Sequence, residues 1–243
     1  MENRYHQMDQ ISEDECLADI AKSLITKKEG FRQLWVGYTG YGKTVCNAKL
    51  AHYLIDNVRK LFVISTDQKN KEVLYPGEQV VLQTQIAKIE GQEVVIRGPA
   101  ISHAADDEID FEELAKQVWD MARVTEVPVA LFVDELFDAC SASQQWATHK
   151  GERKSRMERL YRQGRVMGIS ISATTQVPQE IPRLAYAMSD TVCIFRMDGR
   201  EIEYLRRLGV IEDSDAEVLL NFTVGDFLLC RKGHPKKQCR FSL

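Results

Sequence analysis

A chain of 243 residues, 44% hydrophobic and 28% charged with only 14 Gly and 6 Pro, can bury a core without staples and is neither disordered, collagenous nor low-complexity. Its formal net charge of -4 gives no global attraction for nucleic acid, so any such partner must be held by local charge. No apolar run approaches the ~18 residues of a membrane span, and the six scattered cysteines form no C-x-x-C pair, which leaves reduced thiols as the reading and structural zinc without ligands.

The first residues, MENRYHQMDQISEDE, are polar and acidic where a signal peptide would be basic and then apolar. Ser12 and Glu15 form a capping box that opens a helix over 12–26, with Leu17, Ile20, Ala21, Leu24 and Ile25 at helical spacing. Short runs rich in Val, Ile and Phe then predict strands at 33–37, 61–65, 129–135, 169–174, 191–197 and 226–231. Helical patterns fall between them at 43–58, 111–123, 152–164 and 200–208, the second opened by Asp110 with Glu113 three positions on. Strand and helix alternate, which predicts an α/β fold whose strands are buried on both faces of a mostly parallel sheet. Residues 78–98 alternate apolar and polar around Glu90 and Gly91 and predict an appended β-hairpin. The polar stretches 99–109 and 138–152 read as loops for partner contacts. The expected organisation is a helical extension over 1–30, one core over 31–231, and a basic tail over 232–243.

Gly37-Tyr38-Thr39-Gly40-Tyr41-Gly42-Lys43-Thr44 fits G-x-x-x-x-G-K-[ST] and stands between a predicted strand and a predicted helix, the context a phosphate loop requires. Gly40 and Gly42 let backbone N–H groups turn inward around phosphate oxygens, Lys43 reaches the β- and γ-phosphates, Thr44 supplies a Mg2+ ligand, and Val45 continues into the helix whose dipole favours anions. ATP with Mg2+ is the expected cofactor pair. The strand Val129 to Val133 ends in Asp134 and Glu135. Asp134 is placed to hold Mg2+ through water and Glu135 to activate an attacking water. After the strand 169–174 comes Gln176, an amide able to contact the γ-phosphate or that water, although an amide after a strand also reads as an ordinary loop residue. Arg162 and Arg165 precede the same strand, where a surface Arg can serve a neighbouring subunit or simply be solvated.

In combination these residues resemble the FtsK/HerA superfamily of ring-forming P-loop DNA motors, whose Arg, Gly-Ile strand and A-T-Q segment read here as GRVMGISISATTQVPQEIP. The likeness runs from the phosphate loop to the late G-D-F-L-L strand. It implies a RecA-like P-loop core with Lys43 and Thr44 at ATP and Mg2+, Asp134 and Glu135 as the paired acids, Gln176 as sensor, and Arg165 as an arginine finger acting in trans. Val177 stands where many members carry Arg. The phosphate loop begins at residue 37 and little chain lies beyond the last strand, so neither a HerA-type barrel nor an FtsK-type winged helix is expected. The remaining core resembles the small genome-packaging ATPases of membrane-containing tailless icosahedral viruses. That resemblance implies a homo-oligomeric ring, pentameric or hexameric, that meets duplex DNA and capsid-vertex or portal proteins, in the host cytoplasm or on the virion.

Charge bears on the DNA contact independently. Lys150, Arg153, Lys154, Arg156, Arg159, Arg162 and Arg165 crowd one segment against Glu152 and Glu158. Lys150, Arg153, Lys154 and Arg156 are the candidate phosphate contacts of a ring channel, with a solvated helix face as the plain alternative. A DNA-processing or conjugative motor, a nucleotide switch and an assembly scaffold remain rival readings.

Overall fold

The structure, a computed structural model, describes residues 10–58, 60–66, 84–89, 92–97, 111–125, 127–141 and 155–242. Among these, ten strands form one sheet in the order β1-β10-β9-β8-β2-β7-β6-β3-β4-β5. Its centre is five parallel strands: β8 (Thr191–Ile194), β2 (Arg32–Val36), β7 (Ile169–Thr175), β6 (Val129–Val133) and β3 (Lys60–Ser65). Because all five run the same way, the chain leaves each at one edge of the sheet, and the ends of β2, β6 and β7 open side by side there.

The outer strands are the elaborations. β4 (Thr84–Ile89) and β5 (Gln92–Arg97) pair antiparallel and add to β3, which is the expected hairpin; its turn at Glu90 and Gly91 lies outside the described residues. On the far side β9 (Asp226–Arg231) runs antiparallel to β8, and β10 (Lys237–Arg240) antiparallel to β9. The segment expected to be a basic tail therefore carries a sheet strand. β1 (Gln10–Ile11) pairs parallel with β10, tying the start of the described chain to its end.

Alternation along the strands sorts side chains between two cores. On one face Trp35, Ala130, Phe132, Phe195 and Phe227 meet α1 (Glu13–Lys27) and α2 (Lys43–Asn57). The expected Ser12–Glu15 capping box opens α1. Trp35 is fully buried, edge-on to Phe227 with centroids 5.7 Å apart, and its indole N–H donates to the Ser172 hydroxyl at 2.9 Å. On the other face Leu34, Val36, Leu131, Val133, Ile171 and Ile194 meet α3 (Phe111–Thr125), α4 (Leu136–Ser141), α5 (Arg156–Gln163), α6 (Arg183–Met188), α7 (Gly199–Arg207) and α8 (Asp213–Leu220). α4, α6 and α8, of six, six and eight residues, have no counterpart in the sequence pattern, whereas α5, also of eight, is legible from the apolar face of Met157, Leu160 and Tyr161.

Strand β7 departs from an all-apolar reading. Ile169, Ile171 and Ala173 enter one core, while Ser170, Ser172 and Thr174, all buried, form a polar column on the face toward α1 and α2. Ser170 accepts from Phe31 N, Ser172 donates to Asn47 Oδ1 at 2.6 Å, and the column ends at Asp134. At the opposite end of the sheet Arg32 is wholly buried. Its guanidinium donates to the carbonyls of Phe31, Leu160, Tyr161 and Ile169, closing the last turn of α5. Burial pulls Arg32 down to about 10, and it remains charged at neutral pH.

Candidate active site

The loop after β2 is built by glycines in backbone conformations that side chains rarely adopt. Gly40 and Gly42 have φ of 82° and 98°, and Gly37, at 148°, would drive a Cβ to 2.7 Å from that of Phe195. Gly42 is the N-cap of α2 and offers its first N–H groups no side-chain cap, and no acid lies in the first turn, whereas α1 opens with three acids. Such a loop at a helix N-terminus has the features that favour an anion. Lys43 is buried at the head of α2 and donates from Nζ to the Tyr38 carbonyl at 2.8 Å. Burial pushes its ammonium down to about 8, against the pull of Glu135 and Asp134. A phosphate among these groups would supply the negative charge that this ammonium otherwise takes from the two carboxylates.

The two acids come directly after β6 and face β7. Asp134 Oδ1 accepts from Thr174 Oγ1 at 3.0 Å and from Thr44 Oγ1 at 3.3 Å, and Asp134 N donates to Thr66 Oγ1 at 2.9 Å. Glu135 has φ of 58°, a left-handed conformation that costs a non-glycine residue on the order of 1–2 kcal/mol. The turn aims its carboxylate at the end of β7, where Oε1 accepts from Thr175 Oγ1 at 2.9 Å and Phe137 N at 3.4 Å, and Oε2 from Gln176 N at 3.1 Å. Burial raises the Glu135 carboxyl above its ordinary value; the Thr175 hydroxyl and the amides of Phe137 and Gln176 oppose that, and Asp138 adds to it. Gln176 Oε1 accepts from Thr39 Oγ1 at 2.6 Å, so the residue reaches Glu135 with its backbone N–H and the loop after β2 with its side chain.

Residues from four separate segments, 37–45, 66, 134–135 and 174–176, thereby meet at one edge of the sheet. The donor set fits ATP with Mg2+: a hydroxyl and a carboxylate oxygen from Thr44 and Asp134 are hard ligands of the kind Mg2+ takes alongside phosphate and water. No cluster of three or more His, Cys, Asp or Glu side chains that could hold a metal occurs among the described residues.

Arg165 lies elsewhere. It sits in a 3-10 turn (Gly164–Met167) before β7, so the seven residues of that strand, about 20 Å, separate it from Gln176 and its own site. Its guanidinium is partly exposed and bonds Asp190 Oδ1 at 2.7 Å, while Asp190 Oδ2 accepts from Arg32 N. Of the candidate DNA contacts, Lys150, Arg153 and Lys154 lie outside the described residues. Arg156 donates through its backbone N to Glu112 and pairs with Glu113 at 3.7 Å. Further along α5, Arg159 lies over the Trp119 ring and Arg162 pairs with the fully buried Glu158 at 2.6 Å. The described part of the basic segment is therefore largely engaged within the subunit. So is the end of the chain: Arg231 and Lys237 pair with Asp19, Lys236 with Asp215 and Glu212, and Arg240 with Asp226.

Sequence reasoning missed Thr66, Thr174, Thr175 and Arg32. The hydroxyl pattern I-S-I-S-A-T-T was the available signal for the two threonines of β7, and nothing local marks Arg32, since an Arg before an apolar run reads as surface.

Neither a family model nor a curated protein sequence matches this chain. Solved structures do match in fold. The genome packaging NTPase B204 of Sulfolobus turreted icosahedral virus 2, in complex with sulfate, superposes with a TM-score of 0.62 at 14% identity, over 88% of this chain and 98% of that one. The DNA-packaging ATPase B204 of Sulfolobus turreted icosahedral virus does so at 0.59 and 12%, over 89% and 98%. The cytoplasmic domain of the type VII secretion ATPase EccC of Thermomonospora curvata gives 0.55 and 14%, over 87% of this chain and 25% of that longer one. The chain thus has the α/β fold of these P-loop ATPases, as the sequence resemblance implied.

Proposed function

We propose that this chain is an ATPase whose copies form a ring and drive duplex DNA, packaging a viral genome into a preformed capsid. The observation that carries the reading is the convergence of the phosphate loop, Asp134, Glu135 and Gln176 at one edge of a parallel sheet, joined by the Thr39–Gln176 and Gln176–Glu135 hydrogen bonds. The likeness in fold to two packaging ATPases, one of them also solved with AMPPCP and ATP-gammaS, supports it.

In this reading the loop amides and Lys43 bind the β- and γ-phosphates. Thr44 and Asp134 hold Mg2+, which supplies charge neutralisation during phosphoryl transfer. Glu135 takes the proton of the attacking water, and its elevated pKa suits a base. Gln176 orients that water and, through Thr39, reports the state of the phosphates to the loop. Arg165 serves the site of the next subunit, because its distance from its own site leaves no role there. The ring would meet DNA through the segment around Lys150, Arg153 and Lys154, and a capsid vertex or portal protein through its outer surface. No helix among the described residues is long and apolar enough to cross a membrane, and the host cytoplasm or the capsid vertex is the proposed location.

The same site would serve a secretion motor, which the likeness in fold to EccC favours, or a nucleotide switch. Duplex DNA separates them. ATPase activity of the assembled protein should rise with duplex of arbitrary sequence and lose that stimulation steeply with salt, each neutralised phosphate contributing roughly -0.9 to the slope of log affinity against log salt. Reversing charge at Lys150, Arg153 and Lys154 should flatten the slope and spare DNA-free ATP binding. Absence of stimulation at low salt would sink the DNA-motor reading.

A further inference from the structure

Thr175 is wholly buried at the end of β7, in register with Val36 of β2. It touches both halves of the site. Its hydroxyl donates to Glu135 Oε1 at 2.9 Å, and its carbonyl accepts from Gly37 N, the first amide of the phosphate loop, at 3.2 Å. Strand alternation explains why this residue and its neighbour divide the two carboxylates. Thr174 projects to the α1/α2 face, donates to the Asp134 carboxylate and accepts from Glu135 N at 3.0 Å, while Thr175 projects to the opposite face and meets the Glu135 carboxylate, which the left-handed backbone turns there. Glu135 needs such a hold. Its backbone is strained, three rotatable single bonds join its carboxyl group to the main chain, and its other donors among the described residues are main-chain amides at 3.1 and 3.4 Å. Of these three donors among the described residues, Thr175 makes the shortest bond and is the one a side-chain substitution can remove.

We propose that Thr175 is the positioning residue for the general base: it fixes the Glu135 carboxylate through its hydroxyl and the head of the phosphate loop through its carbonyl, so that base and phosphates keep one spacing. A base displaced by about 1 Å loses on the order of a hundredfold in rate without losing substrate affinity, because the nucleotide is bound by other groups. The proposal rests on ATP hydrolysis with Glu135 as base, the reading of the site given under the proposed function.

The test is steady-state hydrolysis by Thr175→Val and Thr175→Ser, with Glu135→Gln alongside and binding of a fluorescent ATP analogue measured for each. Valine matches threonine in shape and removes the hydroxyl; Thr175→Ala carries the same test if the strand rejects valine. We expect kcat to fall about tenfold or more in Thr175→Val, with KM and analogue affinity within about twofold of the parent, and Thr175→Ser to recover most of the loss. Thr175→Val at parental kcat, or a loss that serine does not recover, would overturn the assignment while Glu135→Gln stays inactive. Parental hydrolysis by Glu135→Gln would instead remove the base itself, and that outcome is read from a different variant.

Discussion

The Thr39 hydroxyl donates to Gln176 Oε1 at 2.6 Å, a bond between residues 137 positions apart that joins the phosphate loop to the strand facing the acids. It exists because β7 lies between β2 and β6 in the sheet, so that the residues just past β7 bridge the phosphate loop after β2 and the acid pair after β6. Gln176 also donates its backbone N–H to Glu135 Oε2, so one residue touches both the loop and Glu135.

Two variants break this bridge at different points. Gln176→Ala should lower kcat by about tenfold to a hundredfold with ATP affinity little changed, since the amide is assigned to the attacking water and γ-phosphate and not to the bulk of the nucleotide. Thr39→Val should give a smaller loss, because Gln176 stays in place with one partner fewer. Single-turnover and steady-state rates with radiolabelled ATP measure both, and equal losses in the two variants would contradict the order of the chain from Thr39 through Gln176 to Glu135.

Arg165 calls for a mixing experiment. Arg165→Ala subunits should bind ATP normally and hydrolyse it slowly, by roughly 10^3-fold if the residue acts as a finger. Lys43→Ala subunits should fail to bind, having lost the charge at the β- and γ-phosphates. Co-assembled, the two should regain part of the activity at interfaces that pair an intact site with an intact finger. If verified mixed assemblies stay inactive at every ratio, Arg165 does not act in trans; its ion pair with Asp190 is then structural, and exposed Arg183 becomes the residue to replace next.

Arg32 should matter for stability, not chemistry. Its guanidinium serves four carbonyls in a fully buried position, and Gly164 lies against it so closely that a Cβ there would stand 3.1 Å from Nη2. Arg32→Met should cost about 3–5 kcal/mol in urea unfolding, the range for leaving buried polar groups unserved. Arg32→Lys should recover little, because one ammonium cannot match a planar fork of five donors. A loss below about 1 kcal/mol for methionine would mean that the carbonyls find other partners.

Local pattern determined much of this protein. The capping box at Ser12 and Glu15, the run Gly37 to Thr44, and the strand ending in Asp134 and Glu135 are legible because each depends on residues a few positions apart, within reach of one turn or one strand. The period-two alternation of 78–98 revealed a hairpin for the same reason. Tertiary structure decided the rest. Only strand order sets β7 between β2 and β6, and with it the contacts of Thr174, Thr175 and Gln176, whose partners lie 39 to 138 positions away in the chain. Net charge along a segment likewise cannot say which cations are free. Arg156, Arg159 and Arg162 read as a basic face, yet α3 and the buried Glu158 engage them, and the late run of Lys and Arg is matched by Asp19, Asp215 and Asp226. A charge acts at a distance set by folding, so its partner is a property of the packed chain and its sign alone is a property of the sequence.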